Sequence, residues 1–130
     1  MNYKIIDIPK ITDPRGNLAV VEKDTLPYKI ERVYYLYDVP SDSHRGGHAH
    51  KKCVELLIAV SGSFTVELDN GIEKQTVTLN KPNKGLLIST MIWRELADFS
   101  SGAMCLVLAS LEFEESDYIR DKELFYAAIK

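Results

Sequence analysis

Arg45-Gly46-Gly47-His48-Ala49-His50-Lys51-Lys52-Cys53-Val54-Glu55-Leu56-Leu57-Ile58-Ala59-Val60-Ser61-Gly62 is the stretch that decides the fold. It opens on a glycine pair beside a basic residue, passes two histidines and becomes a nearly unbroken apolar run. Residues two apart in a strand face the same way, so His48 and His50 share a face, which Lys52 would join. The pattern predicts one strand over 48–60 that starts in a polar pocket and ends in the core. All of the chain's histidines (His44, His48 and His50) fall in this neighbourhood.

Outward from that stretch, short β-type runs alternate with turns. Tyr3–Ile8, Leu18–Glu22, Arg32–Tyr37, Ser63–Leu68, Glu73–Leu79, Leu86–Ser89 and Cys105–Ser110 read as strands, with a further stretch around Trp93. Asp13-Pro14-Arg15-Gly16-Asn17 and Asp69-Asn70-Gly71 are turn signals. The tail from Ser116 to Ile129 reads as a helix, with Ser116 as its N-cap and Ile119, Leu124, Phe125 and Ile129 apolar. Eight to ten strands and one terminal helix are therefore expected. That makes an all-β antiparallel barrel or sandwich of the jelly-roll type, one domain over residues 1–130.

Composition narrows the function classes. Apolar residues at 45% and charged residues at 27% of 130 are ordinary for a soluble globular chain. A formal charge of −3 argues against a general nucleic-acid surface, while leaving room for a local basic pocket. The apolar runs are too short to cross a bilayer, and Met1 leads straight into strand-like sequence with no hydrophobic leader. Cys53 and Cys105 form no CxxC pair and read as buried thiols in a reducing cytoplasm.

His48-x-His50, then Glu55, then Gly62 matches the spacing of the first motif of the cupins, with Asp42 where that motif usually has an earlier glycine. In metal cupins these His and Glu positions bind the ion with one more histidine from a later strand. No histidine follows His50, and Trp93-Arg94-Glu95 offers a cation instead. A charged guanidinium has no lone pair to coordinate a metal, so no metal and no cofactor are expected.

More of the chain resembles a narrower group. Asp13-Pro14-Arg15-Gly16, Arg32-Val33-Tyr34-Tyr35, Arg45 to Lys51, Trp93-x-Glu95, Asp98-Phe99-Ser100-Ser101, Leu108-Ala109-Ser110 and Asp117-Tyr118-Ile119-Arg120 occur in one order over nearly the whole length. Together they resemble the dTDP-4-keto-6-deoxyglucose 3,4-ketoisomerases, the WxcM-like sugar isomerases of the cupin superfamily. The resemblance implies a metal-free cupin jelly roll, a homodimer exchanging its N-terminal strands, and a dTDP-linked 4-keto-6-deoxy sugar as substrate. It also implies a pyridoxal-phosphate aminotransferase as the next step, feeding O-antigen, other surface polysaccharides or antibiotics. Arg15-Gly16 resembles the branch that forms the galacto product.

The residue types suit that reaction. Moving a ketone from C4 to C3 needs a base that titrates near neutrality, a proton for C4, and a donor for the charge that develops on the C4 oxygen. His50 is assigned as the carbon base and His48 as the proton carrier between the oxygens. Alternation puts Arg32, Tyr34 and Leu36 on one face, and the family pattern makes Tyr34 the donor. Arg15, Arg32, Arg45 and Lys51 are candidates for the diphosphate, whose oxygens match arginine's fork. Trp93 either lines the pocket and stacks on thymine or belongs to the core. By strict alternation Glu55 lies opposite the histidines unless a bulge intervenes, so it either orients a histidine or faces solvent. Arg94 touches substrate or a neighbour.

Two rival readings accompany this one. A related sugar-nucleotide 3,5-epimerase would use a histidine held by an aspartate with an opposing tyrosine, a constellation the sequence alone does not assign. A non-catalytic nucleotide-sugar-binding cupin would bind without turnover.

Overall fold

The computed structural model describes residues 1–130 as two five-stranded antiparallel sheets packed face to face, a small hairpin and one short helix. Numbering follows the chain. The first sheet holds, in spatial order, β1 (Tyr3–Asp7), β9 (Lys84–Ile88), β6 (Glu55–Ser61), β11 (Met104–Ala109) and β4 (Arg32–Leu36). The second holds β12 (Tyr118–Ile119), β5 (Arg45–His50), β10 (Trp93–Ala97), β7 (Phe64–Asp69) and β8 (Lys74–Leu79). The hairpin is β2 (Lys10–Asp13) with β3 (Gly16–Ala19), and the helix is α1 (Lys122–Ala128). This is the antiparallel two-sheet architecture the strand pattern predicts, in the cupin-type jelly-roll form the resemblance implies.

Two-residue alternation sorts the side chains. On β6, Leu57 and Ala59 enter the core between the sheets, while Leu56 and Ile58 pack outward under Ile8 and Leu26. On β7, Phe64, Val66 and Leu68 point inward to meet Leu57, Leu86, Cys105 and Val107 across the gap. The outer face of the second sheet is covered near α1, where Ala49, Trp93, Ile119 and Phe125 form a separate cluster. Cys53 and Cys105 are buried free thiols. No helix is long and apolar enough to cross a membrane.

Two expectations are corrected. The single strand over 48–60 is two strands in different sheets: β5 ends at His50, β6 begins at Glu55, and residues 51–54 cross between them. The Asp117 carboxylate accepts the Lys52 and Cys53 backbone N–H groups at 2.7 and 3.2 Å, supplying partners that a continuous ladder would have supplied. The helix expected over 116–129 is confined to Lys122–Ala128. Its N-cap is Asp121, which accepts from the Glu123 and Leu124 N–H groups, whereas the Ser116 hydroxyl donates to Glu114. Upstream, Glu115–Asp117 makes one 3₁₀ turn, and Tyr118–Ile119 adds a short strand to the edge of β5.

Candidate active site

The inward positions at one end of the barrel leave a cavity of about 400 Å³. Its walls come from several strands: Arg32, Tyr34 and Leu36 from β4, His48 from β5, Glu55 and Leu57 from β6, and Arg94 and Leu96 from β10. Phe113, Tyr118 and Arg120 reach it from the segment between β11 and α1, and His44 to Gly47 form part of its rim. A register shift between β5 and β10 lies at the glycine pair, where Arg94 pairs with His48 but Leu96 with Arg45. Gly46 has φ +75, and a Cβ there would press on Leu96 at 3.1 Å.

The two histidines touch. Their Nε2 atoms are 3.1 Å apart and the rings meet edge to face. His48 lines the cavity, but His50 does not: it lies behind His48, 2% exposed, with Nδ1 2.9 Å from an Asp117 carboxylate oxygen. Tyr118 packs on both rings, with centroids 5.0 and 4.5 Å away. Burial, helped by the Arg94 guanidinium and by His50, pushes the His48 pKa down to about 3, so the ring is uncharged at pH 7 but a weaker base than the near-neutral one expected from the sequence.

Glu55 faces the cavity. Of the two readings open for it, facing solvent is excluded by its burial. Alternation from His50 does not reach it because the two residues belong to different strands, so no common period connects them. Its Oε1 accepts from Arg94 Nη1 at 3.0 Å and lies 3.4 Å from His50 Nε2, and its Oε2 accepts the Tyr34 hydroxyl at 2.8 Å. Burial opposes its charge, but the adjacent His50 ring, the Arg94 charge and the Tyr34 hydroxyl together hold its pKa down to about 2. Burial and the Glu55 carboxylate raise the Tyr34 phenol well above its ordinary range, so it remains a proton donor. Its one proton points to Glu55.

His48, His50 and Glu55 offer ligand atoms within 4.8 Å of one another, as in a metal-binding cupin. The set nevertheless does not suit a divalent cation. Arg94 donates to Glu55 and lines the same cavity, placing a fixed positive charge where the ion would sit.

Of the residues expected at the site, His48, Tyr34, Arg32 and Arg45 line one cavity with Arg94 and Glu55. Arg32 donates to the Tyr118 hydroxyl at 3.1 Å and sits over the Tyr34 ring. Three residues lie elsewhere in this chain. Arg15 is exposed on the β2–β3 turn, paired with Asp13. Lys51, just beyond β5, donates to the Ser116 carbonyl. Trp93 points outward because its neighbour Arg94 points inward; it packs on Phe125 and donates to Glu95. Asp117, Tyr118, Arg120 and Phe113 were missed. The word Asp117-Tyr118-Ile119-Arg120 carries part of the family resemblance, but reading it as helix conceals its contact with β5.

Comparison with known proteins agrees with this architecture. A TDP-4-oxo-6-deoxy-alpha-D-glucose-3,4-oxoisomerase from Aneurinibacillus thermoaerophilus is 42% identical over 126 residues, which is 96% of this chain and 91% of the relative. A 3,4-ketoisomerase from Helicobacter canadensis superposes with a TM-score of 0.96 at 42% identity, over 99% of this chain and 98% of that one. A mutant of the 3,4-ketoisomerase QdtA from Thermoanaerobacterium thermosaccharolyticum, in complex with TDP-4-keto-6-deoxyglucose, gives 0.96 at 37% identity, over 98% and 94% of the two chains. The family model described as FdtA: WxcM-like, C-terminal matches residues 1–130, and the chain belongs to that family.

Proposed function

We propose that this protein moves the ketone of TDP-4-keto-6-deoxyglucose from C4 to C3 through an enediolate. The observation that carries the reading is a neutral His48, backed by His50, opening onto a cavity shared with Tyr34 and Arg94. The identity with ketoisomerases over nearly the full length supports it.

In this reading His48, rather than His50, is the carbon base, since His48 lines the cavity and His50 is shielded behind it. The C3–H bond breaks, its proton goes to His48, and the electron pair forms C3=C4 with negative charge on the C4 oxygen. The Tyr34 hydroxyl turns from Glu55 to that oxygen, while Arg94 keeps Glu55 paired. The O3 proton then moves to O4, C3 becomes the ketone, and His48 returns a proton to C4. Arg32 and Arg45 at the cavity wall and rim suit the diphosphate.

Finer parts of the reading rest on the resemblance. They are a galacto product that a 3-amino-sugar route consumes, a cytoplasmic setting, and a homodimer exchanging N-terminal strands. A partner's hairpin reaching this cavity would supply the Arg15 that the chain does not bring to its own site. One observation favours the epimerase rival: His50 is held by an aspartate and Tyr34 lies nearby, the constellation that is not assignable from sequence. The shielding of His50 from the cavity counts against it.

The test is incubation with TDP-4-keto-6-deoxyglucose in deuterated buffer, with and without chelator, followed by NMR. Ketone migration with deuterium at C4 of the product, and at C3 only in returned substrate, is expected; exchange at C5 without migration would establish the epimerase instead. His48→Asn should abolish exchange at C3. Loss in His50→Asn alone would return the base to His50.

A further inference from the structure

We infer that Asp117 is a positioning residue for the histidine pair, acting on His48 through the tautomer it imposes on His50. The inference rests on His48 being the base.

Asp117 is buried, in the one-turn segment that leads into β12, and β12 pairs with β5 so that Tyr118 lies opposite His50. Its carboxylate hydrogen-bonds only to nitrogen. Oδ1 accepts the Lys52 N–H at 2.7 Å; Oδ2 accepts the Cys53 N–H at 3.2 Å and lies 2.9 Å from His50 Nδ1. A carboxylate only accepts, so His50 carries its proton on Nδ1, toward the closer carboxylate; Glu55 Oε1, 3.4 Å from Nε2, is the looser contact, and Nε2 presents its lone pair.

That lone pair faces His48 Nε2 at 3.1 Å. With His50 as acceptor, His48 carries its proton on Nε2, and its other ring nitrogen is left basic. When that nitrogen takes the substrate proton, His48 passes the Nε2 proton to His50. One N–H bond breaks on His48 as one forms on His50, and no proton is lost. The charged His50 then sits between two carboxylates, Asp117 at Nδ1 and Glu55 at 3.4 Å from Nε2. Asp117 thus sets the direction of transfer and stabilises its end point without touching substrate.

The experiment is nitrogen-15 NMR of histidine-labelled protein, in which only His44, His48 and His50 contribute imidazole signals. Substrate-free protein at neutral pH should show His50 protonated on Nδ1 alone. A proton on His50 Nε2, alone or together with one on Nδ1, overturns the inference. The side-chain amide introduced by Asp117→Asn can donate to His50 Nδ1, so the variant should move the His50 proton to Nε2. It should also lower kcat about a hundredfold with KM changed less than about threefold. A folded variant with an unchanged tautomer, or with kcat unchanged, reduces Asp117 to a backbone clamp. If the variant fails to fold, the wild-type spectrum still decides. The spectrum needs no substrate, so an expected tautomer without ketone migration would overturn the proposed reaction alone.

Discussion

Arg94 and Glu55 meet inside the barrel with Nη1 and Oε1 3.0 Å apart, each side chain 1% exposed. They come from different sheets, β10 and β6, and both line the cavity. Arg94 also donates to the Ile92 carbonyl, and its Nε has no partner. Glu55 divides its oxygens among Arg94, His50 and Tyr34. The pair therefore organises the base and the donor around one buried charge.

Removing one member should be costly. Arg94→Met would strand the Glu55 carboxylate and is expected to lower stability by about 3 to 5 kcal/mol. Arg94→Met with Glu55→Leu should cost less than Arg94→Met alone, because no charge is left uncompensated. Urea unfolding of the single and double variants decides this, and equal losses would mean that the stranded charge is not the cause.

The same burial makes stability pH-dependent. The folded His48 pKa is near 3 against an ordinary 6.5, so the unfolded chain binds more protons in that interval. Stability should fall as pH drops from about 6.5 towards 3. Glu55, depressed from 4.5 to about 2, adds a second loss below pH 4.5. His48→Gln should flatten the upper part of the curve and leave the lower part. Urea midpoints at successive pH values measure it; identical slopes in both proteins would refute the assignment.

Tyr34→Phe keeps the ring that packs beneath Arg32 and removes only the hydroxyl. As the donor to the developing oxyanion, its loss should lower kcat about a hundredfold or more with KM nearly unchanged. An unaltered kcat in the NMR assay would remove Tyr34 from the donor role.

Gly62 holds φ +65, and a Cβ there would lie 2.5 Å from Ser100 Oγ and 2.8 Å from the Ala103 Cα. Gly62→Ala combines left-handed backbone with overpacking and should cost about 2 to 4 kcal/mol. A thermal midpoint within a degree or two of the parent would contradict it.

Much of this was legible without coordinates. The alternation in Arg32–Leu36 puts Tyr34 and Arg32 on one inward face, and His48 and His50 share theirs for the same reason. The turn at Asp69-Asn70-Gly71 joins β7 to β8, with Gly71 at φ +91. The sequence leaves Trp93 open because its face depends on which of two adjacent residues turns inward. Sequence patterning does not choose between a buried tryptophan and a buried arginine whose partner is still unknown.

By itself, the sequence determined the all-β antiparallel class and the shared face of the histidines, because both follow from a two-residue period and local turn chemistry. It also carried the family, through words spread along the chain. Only the tertiary structure decided which histidine meets the cavity, because that depends on contacts from other strands. Asp117 lies 67 residues from His50 and Arg94 lies 39 from Glu55, distances at which no local pattern specifies a contact. The break after His50 hid Glu55 for the same reason: a period is informative only along one strand.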